Sequence, residues 1–317
     1  MESVDNITVD VVIPVYKPDV SFKKVTKRLK LQTVKPNSII LLETIGDEDY
    51  DALSVAERKE VFEEEIPVIK YYISKSEFDH GNTRAFGMDM TSAPYVLLMT
   101  QDALPADKYL IERLYRTFET GDNNAISYAR QLPRKEADIL ESLTRKHNYP
   151  KKSQVKSAKD IESMGIKAFF CSDVCAMYDK EKYYELGGFE EKTIFNEDAI
   201  IASKALDKGY TVTYEADARV YHSHSYTLKQ QFTRNFDLGV SHKLYSDIFS
   251  RVSSEKEGGA YAKNVIKTLL KKGKVITCFY FCLQCGFKLF GYKFGKNYNK
   301  LPKKLVKKMA MNKSFFD

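Results

Sequence analysis

LLMTQDALPAD, residues 97–107, sets an apolar run against one carboxylate, Asp102, with Thr100 two places before it. Leu97, Leu98 and Met99 predict the end of a buried strand, so Gln101 and Asp102 belong where that strand emerges. The pattern recurs upstream. ITVDVVIPVY (residues 7–16) is β-branched and stops near Pro14, which cannot continue a central ladder, and SIILLE (38–43) also ends on an acid, Glu43. VIKYYI (68–73), YVLLM (95–99) and AISYA (125–129) add three more strands, with helical spacing between them, as in Phe22, Val25 and Leu29 or across 108–119. Strands alternating with helices predict an α/β chain with a doubly wound, mainly parallel sheet. In such a sheet ligands bind outside the carboxyl ends of the strands, so Pro14, Tyr16, Glu43, Gln101 and Asp102 are expected to converge on one crevice.

The 317 residues, 43% hydrophobic and 13% aromatic, suffice for a large globular core. Met1–Asn6 is short, polar and acidic, unlike a signal peptide, and the five cysteines are few and odd in number. Both predict a reducing, cytoplasmic setting with free thiols. No G-x-G-x-x-G follows the first strand and no G-x-x-x-x-G-K-[ST] occurs, which argues against dinucleotide and P-loop chemistry. Residues 131–167 are polar and lysine-rich and predict a long, partly helical excursion or flap.

Five separated blocks now stand in order: VVIPVYKP, IILLET, HGNTRAFGMDMTSAPYVLLMTQDALP, LGGFEE followed by NEDAIIASKALDKGY, and HSHSYTLKQQFTRNFDLG. Together they resemble family 2 glycosyltransferases with a GT-A fold, most of all bacterial rhamnosyltransferases that build surface polysaccharides. The resemblance covers roughly residues 7–240 and implies a catalytic domain over 1–235, followed by a helical, basic region over 236–317. It implies an inverting transfer of L-rhamnose from dTDP-L-rhamnose to a glycan or lipid-linked glycan acceptor. A UDP-hexose donor fits the same residues, and a non-catalytic homologue serving as a scaffold is the reading from another class.

By that resemblance Asp102 occupies the last position of an Asp-x-Asp motif, with Thr100 where the first Asp would stand. A hard divalent ion, Mg2+ or Mn2+, held there would neutralise the charge of a leaving diphosphate. The plain alternative is a turn acid before Pro105. Asp198 is the implied base toward the acceptor hydroxyl, with Glu197 orienting the acceptor; acids in a first helical turn also complement the helix dipole without any catalysis. Arg84 is expected near the donor nucleotide, with Gly81 permitting close approach and Asn82 and Thr83 capping the helix behind. Pro14, Tyr16 and Glu43 resemble a nucleobase pocket. Gln231 and Arg234 resemble a Q-x-x-R-W acceptor motif with Asn235 in place of Trp, which favours single addition over processive synthesis. His222 and His224 are too few for a closed zinc site, but one of them, preferably His224, is expected to face the diphosphate or its metal.

Charge is unevenly distributed. From Lys263 to the end there are 14 lysines, no arginine and one acid. The uncharged run 275–287 carries Phe279, Tyr280, Phe281 and Leu283. Thirteen apolar residues fall short of the ~20 that a spanning helix needs. Aromatics beside lysines instead predict a segment lying on an anionic membrane, which places the protein peripherally on the inner face. The absence of arginine argues against a nucleic-acid partner.

Overall fold

The computed structural model describes residues 7–62, 65–120, 123–252 and 254–316, so Met1–Asn6 lie outside the described residues. In chain order the elements are β1 (Val9–Tyr16), α1 (Phe22–Lys30), β2 (Ser38–Ile45), α2 (Asp47–Asp51), β3 (Lys59–Phe62), β4 (Val68–Ser74), α3 (His80–Asp89) and β5 (Tyr95–Met99). There follow β6 (Leu104–Pro105), α4 (Leu110–Thr120), β7 (Asn124–Leu132), α5 (Ile139–Asn148), β8 (Gln154–Lys156), α6 (Ile161–Met164), β9 (Cys175–Asp179) and α7 (Lys180–Glu185). The chain ends with α8 (Glu197–Asp207), β10 (Thr211–Tyr221), α9 (Leu228–Leu244), α10 (Ser246–Phe249), α11 (Ser254–Lys271), α12 (Val275–Lys296) and α13 (Lys303–Met309).

One sheet of order β3-β4-β2-β1-β5-β9-β7-β10-β6 organises the molecule, with β8 paired to β10. The pairs β4–β2, β2–β1, β1–β5 and β7–β10 are parallel, while β9 runs antiparallel between β5 and β7. The mainly parallel α/β sheet expected from the strand runs is therefore present. Alternate residues of β1 enter opposite cores: Val12 faces Ile40, Leu98 and Ile201, whereas Val11 and Ile13 pack with Leu97 and Ile111. Burial on both faces explains why these strands read as continuous apolar runs rather than alternating ones.

Polar groups divide between the two edges of the sheet. At the amino edge Asp10 is fully buried, and its carboxylate accepts from Ala93 N (2.9 Å), Ser92 N (2.7 Å), Ser38 Oγ (2.7 Å) and Asn37 Nδ2 (3.0 Å). Burial alone would raise its pKa, but these four donors outweigh it and hold the group below the ordinary value. Asp10 thus ties β1 to the starts of β2 and β5, leaving the carboxyl edge open.

The 131–167 excursion is built into the fold. β8 pairs with Tyr214, Thr213 and Val212 of β10, and the fully buried Lys156 donates to the carbonyls of Lys167 and Phe170. The boundary drawn at 235 falls inside α9, whose Phe236 and Val240 pack with Ile194, Val306 and Ala310. The uncharged run at 275–287 is the first part of a 22-residue helix, so it is long and apolar enough to cross a membrane by length and composition. The charge of Lys288 ends the apolar run without ending the helix.

α12 is fastened to α9 at backbone contact. A Cβ on Gly295 would overlap the Phe236 carbonyl, one on Gly291 the Phe232 carbonyl, and one on Gly239 the Tyr292 carbonyl. Only glycine permits that approach. Gly295→Val is expected to cost about 3 kcal/mol by overpacking and to lower Tm by roughly 6–10 °C. An unchanged thermal melt would show that α12 is not held on α9 in this way.

Candidate active site

The carboxyl ends of β1, β2 and β5 lie side by side, but not every side chain predicted there faces open space. Gln101 spends its amide on the backbone of Tyr16: Oε1 accepts from Tyr16 N at 2.7 Å and Nε2 donates to Tyr16 O at 3.0 Å. It therefore continues the β1–β5 pairing by side chain where the backbone ladder has ended, and Tyr16 beside it is 44% exposed. Glu43, opposite Val15 in the ladder, is ion-paired with Lys70 at 3.2 Å.

Asp102 follows β5 and sits where the chain turns into β6. That two-residue strand pairs antiparallel with the end of β10, Leu104 opposite Tyr221 and Pro105 opposite Val220. The pairing carries His222 and His224 onto Asp102. Asp102 Oδ2 is 3.4 Å from His222 Nε2 and 3.2 Å from His224 Nε2, and the three ligand atoms lie within 4.8 Å of one another. Ligand atoms about 2.1 Å from a common ion stand roughly 3–3.5 Å apart, so the donor set fits a divalent cation. Both histidines face the acid, where the sequence singled out one.

A supporting layer orients these donors. Gln131 Oε1 lies 3.0 Å from His222 Nδ1 and also accepts from Arg145 Nη1, so the Nδ1 position carries the proton and Nε2 presents its lone pair. Gln131 Nε2 donates to Ser172 Oγ at 2.9 Å. Arg134 Nη2 holds the Asp102 carbonyl at 2.7 Å. Burial pushes the pKa of His222 down to about 3 and also lowers that of His224, which keeps both imidazoles neutral as metal ligation requires. Thr100 Oγ1 is buried nearby without a hydrogen-bond partner.

The second cluster contains three acids and a guanidinium. Asn196, in the left-handed region at φ 70°, turns the chain into α8, and Glu197 and Asp198 occupy its first turn. Arg84 rises from α3, where it is buried, and places Nη1 3.1 Å from Glu197 Oε1 and Nε 3.6 Å from Asp173 Oδ2. Its other contact is to the His80 carbonyl at 2.9 Å. The guanidinium expected at the donor nucleotide is thus committed to carboxylates. α3 is capped by Asp79, which accepts from Gly81 N and Asn82 N, while Thr83 Oγ1 accepts from Asp79 N at 3.3 Å and Asn82 takes part only through its backbone. The close approach at Gly81 is to the Glu190 carbonyl of this chain.

The three carboxylates titrate apart. For Glu197 burial would raise the pKa, but Arg84 and then His80 outweigh it and hold the group below its usual value. Asp173, buried, lifted further by Glu197 and pulled down by Arg84, sits at about 7, and Tyr178 Oη donates to it at 2.5 Å. Asp198 is raised well above the ordinary carboxylate range by burial, then by Glu197 and Asp173, while Ala199 N donates to its Oδ1 at 2.7 Å. A half-buried acid with raised proton affinity suits proton acceptance nearer neutral pH. Asp173 went unread because CSDVCAMY scans as strand. Its one sequence signal is a lone acid inside an apolar run.

Both clusters open on one cleft of about 660 Å³, lined among others by Glu197, Asp198, His222, His224 and Gln231. Arg234, also in the lining, stacks over Phe195 at 4.6 Å and Tyr226 at 5.5 Å. Thr227 and Gln230 form a capping box that starts α9 and sets Gln231 and Arg234 facing the acids. Asn235, in the place of a tryptophan, donates to the Gln231 carbonyl at 2.7 Å. Pro14, Tyr16, Glu43, Gln101 and Asp102 are not among the residues lining this cleft, which Asp102 borders through His222 and His224.

Comparison with known proteins converges on one family. Residues 10–187 match the family model described as glycosyl transferase family 2. The chain is 33% identical over 317 residues to the O-antigen chain rhamnosyltransferase RfbN of Salmonella typhimurium, covering 98% of this chain and 96% of that protein. It is 32% identical over 294 residues to the O-antigen chain rhamnosyltransferase WbaN of Salmonella anatum, covering 90% and 88%. A mannosyltransferase from Pyrobaculum calidifontis, solved with GDP-Man and Mn2+, shares the fold at TM-score 0.57 and 11% identity, over 92% of this chain and 88% of that one.

Proposed function

The chain belongs to glycosyl transferase family 2, and from that premise we propose that it is an inverting, metal-assisted enzyme transferring L-rhamnose from dTDP-L-rhamnose to a growing surface glycan. The observation that carries this reading is that Asp198 shares one cleft with His222 and His224, the two imidazoles that meet Asp102. An acceptor hydroxyl entering beside Asp198 gives up its proton to the carboxylate as its oxygen attacks the anomeric carbon. The bond to the nucleoside diphosphate breaks on the opposite face, which inverts the anomeric configuration. Arg84 keeps Glu197 ionised, and that charge beside Asp198 raises the base's proton affinity.

Asp102, His222 and His224 would hold a divalent ion whose charge stabilises the departing diphosphate. Two imidazoles favour Mn2+ over Mg2+, which prefers oxygen shells. The nucleobase is assigned to Tyr16, with Pro14 and Glu43 beside it at the carboxyl ends of β1 and β2, next to rather than inside the cleft lining. Uracil and thymine both offer an N3–H, so a UDP-hexose donor is the second reading. The rhamnosyltransferase names of two relatives, each aligned over nearly its whole length, support the first. We assign 1–235 to catalysis and 236–317 to an anionic membrane face, with α9 shared between them. Exposed aromatics on α12 and the tail lysines support a protein lying on the inner leaflet.

Purified protein incubated with dTDP-rhamnose, UDP-glucose, UDP-galactose and UDP-N-acetylglucosamine, with acceptor extract, tests the assignment. Turnover is expected with dTDP-rhamnose, falling about 100-fold or more with chelator or in Asp102→Ala, and Mn2+ should restore the chelated enzyme. Turnover of a UDP-sugar alone overturns the donor. Chelator-insensitive turnover overturns the metal role. Absence of both turnover and donor binding overturns catalysis in favour of a scaffold.

A further inference from the structure

α12 presents two adjacent faces with different chemistry. At about 100° per residue, positions 276, 279, 283, 287, 290 and 294 fall on one stripe. All six are apolar and exposed, with Ile276 at 87%, Phe279 at 67% and Phe290 at 60%. Exposed lysines at 263, 267, 271, 272 and 274 precede this stripe. Beside it runs a second column, Tyr280, Gln284 and Lys288, at i, i+4 and i+8, and all three line the cleft that holds Asp198. Tyr280, 40% exposed, stands on the border between stripe and cleft, whereas Gln284 is buried.

The column ends in a charge, Lys288, that has no carboxylate within ion-pair distance among the described residues. Among the described residues neither Lys288 nor Arg234 forms an ion pair. The nearby acid Glu141 is committed to Arg145 Nε at 2.6 Å. Burial lowers the pKa of Lys288 against the pull of Cys285 and Glu141, with Arg234 adding repulsion. Glu197 and Asp237 act on Arg234, and Glu141 on Lys288, only from beyond ion-pair distance, so an anion seated between the two cations would still offset their charge.

We infer that Lys288, together with Arg234, forms an anion subsite for a phosphate group on an amphiphilic acceptor that enters from the bilayer past Tyr280. This rests on the glycosyl-transfer reading for the identity of the acceptor, but not for the binding itself. The stripe holds the apolar part of such a molecule at the membrane surface, and the adjoining column receives its head. The acceptor sugar beyond the phosphate then reaches Asp198 in the same cleft. Lys288 positions the acceptor and takes no part in proton transfer.

Binding of dodecyl phosphate and of dodecyl β-D-glucoside, both below micelle formation, to the full chain by calorimetry tests the subsite without turnover. The wild type is expected to prefer the phosphate by about 10-fold or more, and Lys288→Gln to lose that preference while Lys288→Arg keeps it. Sedimentation with phosphatidylglycerol vesicles should be the same for Lys288→Gln as for wild type. Equal affinity of the wild type for both amphiphiles overturns the subsite. Loss of vesicle binding in Lys288→Gln assigns the lysine to lipid headgroups, and weakened dTDP binding assigns it to the donor diphosphate. Either result overturns the proposal. Failure of the donor panel with the phosphate preference intact would sink the transfer reading alone.

Discussion

Asp198→Asn is expected to lower kcat by about 10²–10⁴-fold while leaving donor binding unchanged. Asparagine keeps the shape and still accepts from Ala199 N, so the start of α8 is preserved. What it loses is the ability to take a proton. In the wild type kcat should rise with pH as Asp198 ionises, along a limb lying well above the ordinary carboxylate range, because burial and the charges of Glu197 and Asp173 raise its pKa. That limb should vanish in the variant. Stability should move the other way. A carboxyl whose folded pKa is raised contributes stability that is complete below its unfolded pKa, about 3.9, and is lost as pH rises through the folded value. At neutral pH the wild type carries that cost and the variant does not, so Tm of Asp198→Asn should equal or exceed that of wild type. Steady-state kinetics with calorimetric melts across pH would decide. A variant that retains turnover would remove Asp198 from proton transfer, and one that also loses donor binding would make it a structural acid.

Arg84→Met should be the most destabilising single change in the site, by about 3–5 kcal/mol at neutral pH. Its guanidinium is the cation that Glu197 and Asp173 contact, and all three side chains are buried. Methionine fills much of the volume and leaves the acids facing each other. Glu197, held below its usual pKa by Arg84 against the effect of burial, supplies stability above its unfolded pKa that is lost as pH falls through the folded value. Without Arg84 that contribution changes sign, because the acids then hold protons more tightly when folded than when unfolded. The deficit of Arg84→Met should therefore shrink toward pH 5 and widen toward pH 8. Arg84→Lys should recover only part of the loss, because one ammonium cannot serve both carboxylates in the guanidinium's fork geometry. Denaturant unfolding at several pH values measures this. A small, pH-independent deficit would show that Arg84 is not the countercharge of the cluster, and weakened donor binding at unchanged stability would return it to the nucleotide.

Asp102 was legible because it is the first carboxylate after a continuous apolar run that ends a buried strand. Glu197 and Asp198 were legible as an acid pair at a helix start, given the order of the blocks around them. Arg84 was expected to face a donor nucleotide, and in the fold its guanidinium meets Glu197 and Asp173. Whether a guanidinium on α3 faces a ligand or an acid depends on where α8 seats against it, and nothing local to HGNTRAFG encodes that. His222 was passed over because two histidines make too few ligands, and the third, Asp102, joins them only through the two-residue pairing of β6 with β10. Gln101 was expected to be a donor contact from its place at the strand end, yet its amide completes the ladder at Tyr16.

The tail shows the same division. Its lysines and aromatics were plain in the sequence, but the charge of Lys288 made a 22-residue helix look like a 13-residue run. By itself the sequence determined the long strands β1, β2, β4, β5 and β7 and the mainly parallel α/β class, because backbone periodicity and residue type act over a few neighbours; the short β3, β6 and β8 and the antiparallel seat of β9 it did not. Tertiary structure alone decided which charges pair, which imidazoles meet Asp102 and which side of α12 looks inward. Those outcomes depend on close packing between elements far apart in the chain, such as α9 against Gly291 and Gly295, where an ångström of backbone approach determines the partners of every side chain along the seam.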